Sequence, residues 1–417
     1  MSIPYNEKQI TAIHQMVEHA STTDGDQFYV LEGPAGTGKT ACIDKVMNSV
    51  SGRMVMTAPT NKAVRVIRES LSNKSVPTCT IYSLLGLQLQ ANGEVKHISR
   101  LREDLDLSDY DIVGIDEGGM LNKTLVGYLR RVAEQFPYLR FILMGDRWQL
   151  PPIKESLSEI WDFEQRFELD KVMRTDNQIL TFATHVRSIL QGFESKLTIK
   201  EDYDERGGVF VPKGGLRNSI LENVEDFRLG KSKAVAWRNA AVDEMNAMIR
   251  NELLAKPDLA PWQERERITL LEPAKNFDDE IIASTDEEGF VSHVDIANHP
   301  LYRSFLCYRI VMDTDNEGAI TLWTLHESEK QRFEKKRAEL AENAKHDRRN
   351  WRTYWQFVES FHNVRHAYAT TAHRAQGSTY GKCYVSWRDI MANRIREEAL
   401  RCLYVAGSRP KYELYLG

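Results

Sequence analysis

Short apolar runs recur along the chain, and each one breaks at a glycine or at polar residues. Gln27–Glu32 (QFYVLE), Arg53–Ala58, Asp111–Ile115 and Arg140–Met144 predict buried strands. Residues 8–24, and the stretch that begins at Lys39 and ends near Val50, predict helices. Strands alternating with helices predict an α/β fold whose parallel sheet meets ligands at the carboxyl ends of its strands. The pattern changes between Leu87 and Asp106. Leu87-Gln-Leu-Gln alternates, Asn92-Gly93 is a turn signal, and Val95-Lys-His-Ile98 alternates again. This predicts a small β-hairpin inserted into the first domain. Residues 155–250 hold a further helix and strand set, with Lys233–Trp237 as a strand. From about 255 to 355, Phe305–Asp313 and Ala319–Leu325 suggest a small β-barrel. Glu329–Arg349 follows as a charged helix with eight Lys or Arg against five Asp or Glu. The α/β pattern returns at Tyr368–Thr371 and Lys382–Trp387.

Composition narrows the class without naming it. A chain of 417 residues suggests two to four domains. Hydrophobic residues at 42% and charged residues at 28% are ordinary for a globular protein, and no apolar run approaches the ~20 residues of a membrane span. The first ten residues are polar and carry Pro4, so no secretory leader is expected and the cytoplasm is the expected compartment. A net charge of −5 argues against a protein that coats nucleic acid, but not against a local basic groove. Cys42, Cys79, Cys307, Cys383 and Cys402 are too scattered for a zinc knuckle and are expected to be reduced and mostly buried.

Three strand ends carry candidate chemistry. Gly33, Pro34, Ala35, Gly36, Thr37, Gly38, Lys39 and Thr40 spell the phosphate-binding pattern G-x-x-x-x-G-K-T between a strand and a helix. The glycines let backbone N–H groups turn onto a β-phosphate. Lys39 would neutralise β and γ oxygens, and the Thr40 hydroxyl would hold Mg²⁺. Asp116 and Glu117 follow the third strand, where Asp116 would hold Mg²⁺ through water and Glu117 would act as general base. Gln149 follows the fourth and can sense a γ-phosphate. Gln9, in the first helix, can read adenine through paired donor and acceptor contacts.

These segments, in this order and spacing, resemble superfamily 1 helicases. Thr57–Ala63 resembles motif Ia, and Thr80–Leu85 resembles the Thr-Ile-His-Ser-Leu segment. Gly145–Pro152 resembles motif III, Leu169–Arg174 motif IV, Thr371–Thr379 motif V and Leu403–Arg409 motif VI. The Leu-Pro-Pro form of motif III and the compact size are similar to the 5′→3′ branch, the RecD and Dda group, nearest its phage-encoded Dda members. The motifs span residues 9 to 409, and only about 255–350 lacks motif support. Three positions depart from the family pattern: Gly118-Gly119 after the acidic pair, Tyr82 where His is common, and Gly407-Ser408-Arg409-Pro410 in motif VI.

The resemblance implies two RecA-like P-loop domains, the first with the hairpin inserted and the second with a small barrel and helical insertion. The expected boundaries are 1–154 for the first domain, with the hairpin at about 86–106, and 155–254 with 362–417 for the second. An SH3-like barrel and the charged helix would occupy 255–361. It also implies that Arg174 and Arg409 reach the γ-phosphate, and that Gln376 and Gly377 join the ATP site. Single-stranded DNA would lie on Pro59, Thr60, Asn61, Lys62, Thr80, Tyr82, Ser83, Thr371 and His373, with His97 or Ile98 at the tip of a strand-splitting pin. Trp351, Tyr354, Trp355 and Phe357 have the i, i+3, i+4 spacing of a packed helical face, and Trp355 is the candidate among them for stacking on a base. The implied activity is ATP- and Mg²⁺-dependent 5′→3′ unwinding of DNA by a monomer with no membrane association. It would act in phage-type replication or recombination in a host cytoplasm, with a single-strand-binding or replisome protein as a partner. The alternatives are a DNA-stimulated translocase that displaces bound proteins without efficient unwinding, and a P-loop ATPase of another class.

Overall fold

The computed structural model describes residues 4–89, 95–97, 107–152, 154–173, 178–254, 260–316 and 318–417. These form two compact units, Met1–Val211 with Ala375–Gly417, and Pro212–Arg374.

The first unit is built on strands β1 (Phe28–Glu32), β2 (Met54–Ala58) and β3 (Thr78–Thr80), a hairpin of β4 (Leu87–Leu89) and β5 (Val95–His97), then β6 (Ile112–Ile115), β7 (Arg140–Gly145) and β8 (Gln165–Glu168). Six of them make one sheet in the order β3-β2-β6-β7-β1-β8, parallel throughout. Such a sheet is covered on both faces, which is why its strands read as continuous apolar runs rather than alternating ones. Phe28, Val30, Phe141 and Leu143 enter one buried cluster with Leu125, Leu129 and Trp161. Tyr29, Leu31, Ile142 and Met144 enter the opposite one with Cys42, Ile43 and Val46. The period-2 split of β1 and β7 between two cores fixes their register, since a slip of one residue would exchange the faces.

The hairpin pairs Leu87 with His97 and Leu89 with Val95, antiparallel as expected. Its turn at Asn92-Gly93, and Ile98, lie outside the described residues, as does the His97 side chain.

This unit also contains β9 (Asp202–Asp204) and β10 (Gly207–Phe210), and the C-terminal strands β20 (Tyr380–Val385) and β21 (Pro410–Leu416) in the order β20-β21-β10-β9. Helix Arg396–Gly407, which links β20 to β21, buries every residue from Ala399 to Gly407. Gly407 is explained here. A Cβ at this position would lie 2.7 Å from Cε1 of Phe182, so the small residue in motif VI is the complement of a ring on helix Gln178–Leu190.

The second unit contains the parallel pair β11 (Ser232–Ala236) and β19 (Ala369–Thr371). It also holds a five-stranded antiparallel sheet of β12 (Arg267–Leu270), β15 (Glu288–Asn298), β16 (Leu306–Thr314), β17 (Ala319–Leu325) and β18 (Val364–His366), ordered β17-β16-β15-β12-β18. A two-stranded ribbon of β13 (Ala274–Lys275) and β14 (Ile281–Ala283) accompanies it. The charged helix runs Lys330–His346 and is followed by helix Trp351–Glu359. Phe333 from the first stacks on Phe357 of the second with ring centroids 5.0 Å apart, and Phe357 is buried. The four clustered aromatics therefore divide. Phe357 packs, Tyr354 and Trp355 are half-buried with edge-on rings, and Trp351 is exposed. Among the described residues no helix is long and apolar enough to cross a membrane. All five cysteines are free thiols, four buried and Cys79 half-buried.

Candidate nucleotide site

Six candidate segments of the first unit lie at carboxyl ends of the parallel sheet. The phosphate loop follows β1, Pro59–Lys62 follow β2, and Thr80 closes β3. Asp116-Glu117 follow β6, Asp146–Gln149 follow β7, and Leu169–Met173 follow β8. The sheet order brings the ends of β1, β6 and β7 side by side, so segments spread over about 120 residues of chain converge at one sheet edge.

The phosphate loop is held from several sides. Gly36 and Gly38 both take φ of +84°, the left-handed conformation that turns successive N–H groups toward one concavity. Gly33 leaves no room for a side chain, because a Cβ there would lie 2.6 Å from the Leu169 carbonyl oxygen. The Met173 N–H donates to the Gly36 carbonyl at 2.8 Å. Lys39 Nζ donates to the carbonyls of Gly33 (2.6 Å) and Pro34 (3.1 Å), so the ammonium arches over the loop itself. Gln9 is buried: its Nε2 donates to the Thr37 carbonyl, and its Oε1 accepts from the Asn6 N–H in the N-terminal cap of helix Glu7–Ser21.

The acidic pair is half-buried. Asp116 Oδ1 accepts from the Glu117 N–H at 2.8 Å, and Glu117 takes the left-handed φ of +50°. Burial raises the Asp116 carboxyl, and Lys39 opposes that rise. Burial and the Asp116 charge push Glu117 up to about 7, against the pull of Arg409 and Lys39. A carboxylate poised near neutrality is what general-base work needs. The Gly118-Gly119 departure is explained by a residue the motifs do not include. Trp161 is buried behind the loop, and a Cβ on Gly119 would come 3.2 Å from its ring.

Arg409 is buried, and among the described residues its hydrogen bonds go to neutral groups: the carbonyls of Val405 and Ser378, and the Ser408 hydroxyl. A buried guanidinium without a carboxylate partner is costly unless an anion is meant to meet it. Gln149 is also buried, with Oε1 lacking a hydrogen-bond partner.

Three residues here were missed by the sequence reading. Asp146 Oδ2 accepts from the Tyr404 hydroxyl at 2.6 Å, and Arg401 Nη1 donates to the carbonyls of Arg147 and Gln149, each at 2.7 Å. The signal for two of them was the i, i+3 spacing of Arg401 and Tyr404 on helix Arg396–Gly407, which leads into Arg409.

Among the described residues no group of three or more His, Cys, Asp or Glu could hold a metal unaided. The Thr40 hydroxyl and the Asp116 carboxylate are hard oxygen donors and fit Mg²⁺, which is commonly bound by one or two carboxylates plus substrate phosphates.

The remaining candidates are spread over both units. Thr60 caps helix Asn61–Ser70, Pro59 is buried and Asn61 exposed. Lys62 lies 5.4 Å from the ring centroid of Tyr380, which places the segment after β2 beside the segment holding Gln376 and Gly377. Gly377 has φ +73°. Thr80 caps helix Ile81–Leu84, Ser83 is exposed, and Tyr82 is half-buried against the core. In the second unit Thr371 is buried on β19 and His373 is exposed. Arg174 lies outside the described residues.

A P-loop before a helix, a parallel sheet and an acidic pair two strands away define a RecA-like P-loop NTPase fold. A family model described as an AAA domain matches residues 4–207. The chain is 23% identical to the ATP-dependent DNA helicase dda of Enterobacteria phage T4, over 92% of this chain and 93% of that protein. It is 32% identical to the ATP-dependent RecD2 DNA helicase of Deinococcus radiodurans, over 34% of this chain and 19% of that one. The structure is similar to that of a Pif1 helicase from Bacteroides in complex with ADP-AlF3 and single-stranded DNA, with TM-score 0.53 and 15% identity over 99% of this chain and 92% of that one. These likenesses support a helicase of the RecD, Dda and Pif1 type.

Proposed function

We propose that this protein is an ATP-driven 5′→3′ DNA helicase that translocates on single-stranded DNA. The observation that carries the reading is the phosphate loop Gly33–Thr40 and the Asp116-Glu117 pair meeting at one edge of the parallel sheet, in a chain similar over nearly its whole length to a DNA helicase. Phosphoryl transfer spreads charge over the γ-phosphoryl oxygens, and an arginine that meets it raises turnover by ~10³–10⁵ in related systems.

In this reading Lys39 leaves the Gly33 and Pro34 carbonyls for β and γ oxygens. Glu117 takes the proton of the attacking water, Gln149 orients that water against the γ-phosphate, and Arg409 with Arg174 stabilises the charge that develops. Gln9 borders the adenine, and Gln376 with Gly377 borders the phosphates. Bound Mg²⁺, held through Thr40 and Asp116, would neutralise phosphate charge.

Two RecA-like lobes, 1–154 and 155–254 with 362–417, would open and close with each turnover, and 255–361 would form a separate insertion. Pro59, Thr60, Asn61, Lys62, Thr80, Tyr82 and Ser83 would grip phosphates and sugars from one lobe, and Thr371 and His373 from the other. Such contacts carry little sequence preference, as stepping requires. His97 on the hairpin would meet the fork, and the half-buried Trp355 would stack on a base. A replication or recombination role, a monomeric state, a host-cytoplasmic setting and a single-strand-binding or replisome partner complete the proposal.

The test is strand displacement with ATP and Mg²⁺ on duplexes bearing a 5′ or a 3′ single-stranded tail. Unwinding from the 5′ tail alone is expected. Unwinding from the 3′ tail alone would overturn the polarity. ATPase stimulated by DNA without unwinding would favour a translocase that displaces proteins, and no ATPase at all would overturn the reading.

A further inference from the structure

Two side chains that the motif reading gave no role, Arg401 and Tyr404, grip the loop that carries Gln149, and both come from helix Arg396–Gly407. Glu397, Arg401 and Tyr404 lie at i, i+4 and i+7, so they share one face of that helix. Tyr404 gives its hydroxyl proton to Asp146 Oδ2 at 2.6 Å. Asp146 uses its other oxygen, Oδ1, to accept the Trp148 N–H at 3.0 Å, and its carbonyl accepts the Gln149 N–H at 3.2 Å. Arg401 places one nitrogen, Nη1, on the carbonyls of Arg147 and Gln149, while Nε and Nη2 hold Glu397 Oε1 at 3.0 and 2.9 Å. The turn from Asp146 to Gln149 therefore has its carboxylate and two of its carbonyls fixed from a helix some 250 residues away in sequence.

The same helix leads directly into Arg409. Its last turn supplies the Val405 carbonyl that accepts Arg409 Nε, and Ser408 supplies a second acceptor. One rigid element thus fixes the backbone under Gln149 and aims Arg409, the two groups assigned to the γ-phosphate. Among the described residues Gln149 Oε1 is buried and unpartnered, so the backbone beneath it sets where that oxygen lies.

We propose that Arg401 and Tyr404 are positioning residues that lock the Gln149 loop to the Arg409 helix when the two lobes close, so that the two γ-phosphate contacts engage as one unit. The inference rests on the ATPase reading above. Neither residue touches the nucleotide; each acts through Gln149. The hydroxyl matters more than the ring, because Tyr404→Phe keeps the buried shape and removes only the bond to Asp146.

The experiment is steady-state ATPase of the full chain, with Mg²⁺ and a saturating oligo-dT strand, for wild type, Tyr404→Phe, Arg401→Met, Arg401→Lys, Gln149→Ala and the double variant Tyr404→Phe/Gln149→Ala. The expected result is a fall in kcat of about 10- to 100-fold in Tyr404→Phe and Arg401→Met with KM for ATP within about twofold. Arg401→Lys should recover part of that loss, and the double variant should be no slower than Gln149→Ala alone. Unchanged kcat in Tyr404→Phe overturns the lock. So do losses that multiply in the double variant, or losses that track the fraction of unfolded protein by circular dichroism. A wild type that hydrolyses no ATP overturns the functional reading and this inference with it, whereas an active wild type with an unaffected Tyr404→Phe overturns the lock alone.

Discussion

Gln9 Nε2 donates to the Thr37 carbonyl at 2.9 Å, so the first helix of the chain braces the phosphate loop from outside. A Cβ on Gly38 would meet the same amide at 2.5 Å, which shows how closely the two segments fit. The residue expected to read adenine thus has a second role open to it. Gln9→Ala separates them. A brace predicts a rise in KM for ATP and GTP alike, whereas a base reader predicts loss of ATP preference with GTP turnover unchanged. From the bond in the structure we expect KM for both nucleotides to rise, by about 5-fold for a neutral hydrogen bond of ~1 kcal/mol. Initial rates across both nucleotides decide it.

Glu117→Gln keeps the shape of the side chain and removes the base. Nucleotide binding should survive, and kcat should drop by ~10²–10⁴-fold. Comparing binding of a fluorescent ATP analogue with single-turnover hydrolysis checks both halves. A normal turnover rate would remove Glu117 from the mechanism.

Arg409→Lys should not rescue Arg409→Ala. The guanidinium is held by two carbonyls and a hydroxyl, and a lysine cannot reproduce that fork. Both variants should lose ~10³-fold or more in kcat with KM little changed. Recovery of turnover in Arg409→Lys would mean that charge alone suffices.

Acid should weaken the second unit before it reaches the carboxylate range. Burial lowers the His362 imidazole, whose Nδ1 accepts the Trp323 N–H at 2.8 Å and whose Nε2 lies 3.0 Å from the Lys275 carbonyl. Burial also lowers His299. A folded-state value below the unfolded one means that the unfolded chain binds protons first. The associated stability is therefore complete above the ordinary histidine range near ~6.5 and is lost as pH falls through it, by at most ~1.4 kcal/mol per pH unit for each group. Urea unfolding between pH 5 and 7.5 should show this decline, and His362→Gln should flatten it. An unchanged slope in that variant would assign the effect elsewhere.

The strands of the parallel sheet were legible because burial on both faces writes them as unbroken apolar runs. Their bounds moved by only a residue or so: the run read as 27–32 is strand Phe28–Glu32, and 111–115 is Ile112–Ile115. The first helix was read as 8–24 and ends at Ser21, because the polar stretch Thr22–Asp26 offers no apolar face to bury. The hairpin was legible from alternation on each side of Asn92-Gly93, whereas its register, Leu87 with His97 and Leu89 with Val95, came only from the structure.

What the sequence determined by itself was local: strand, turn and helix signals, the phosphate loop, and the acidic pair at a strand end. These depend on residues within a few positions of one another. What only the tertiary structure decided was which distant groups meet. Trp161 behind Gly119, Phe182 against Gly407, Gln9 under the phosphate loop, and Tyr404 on Asp146 join positions 28 to 258 residues apart. Close packing makes each of them a matter of a few tenths of an ångström, and no periodicity along the chain encodes such a fit.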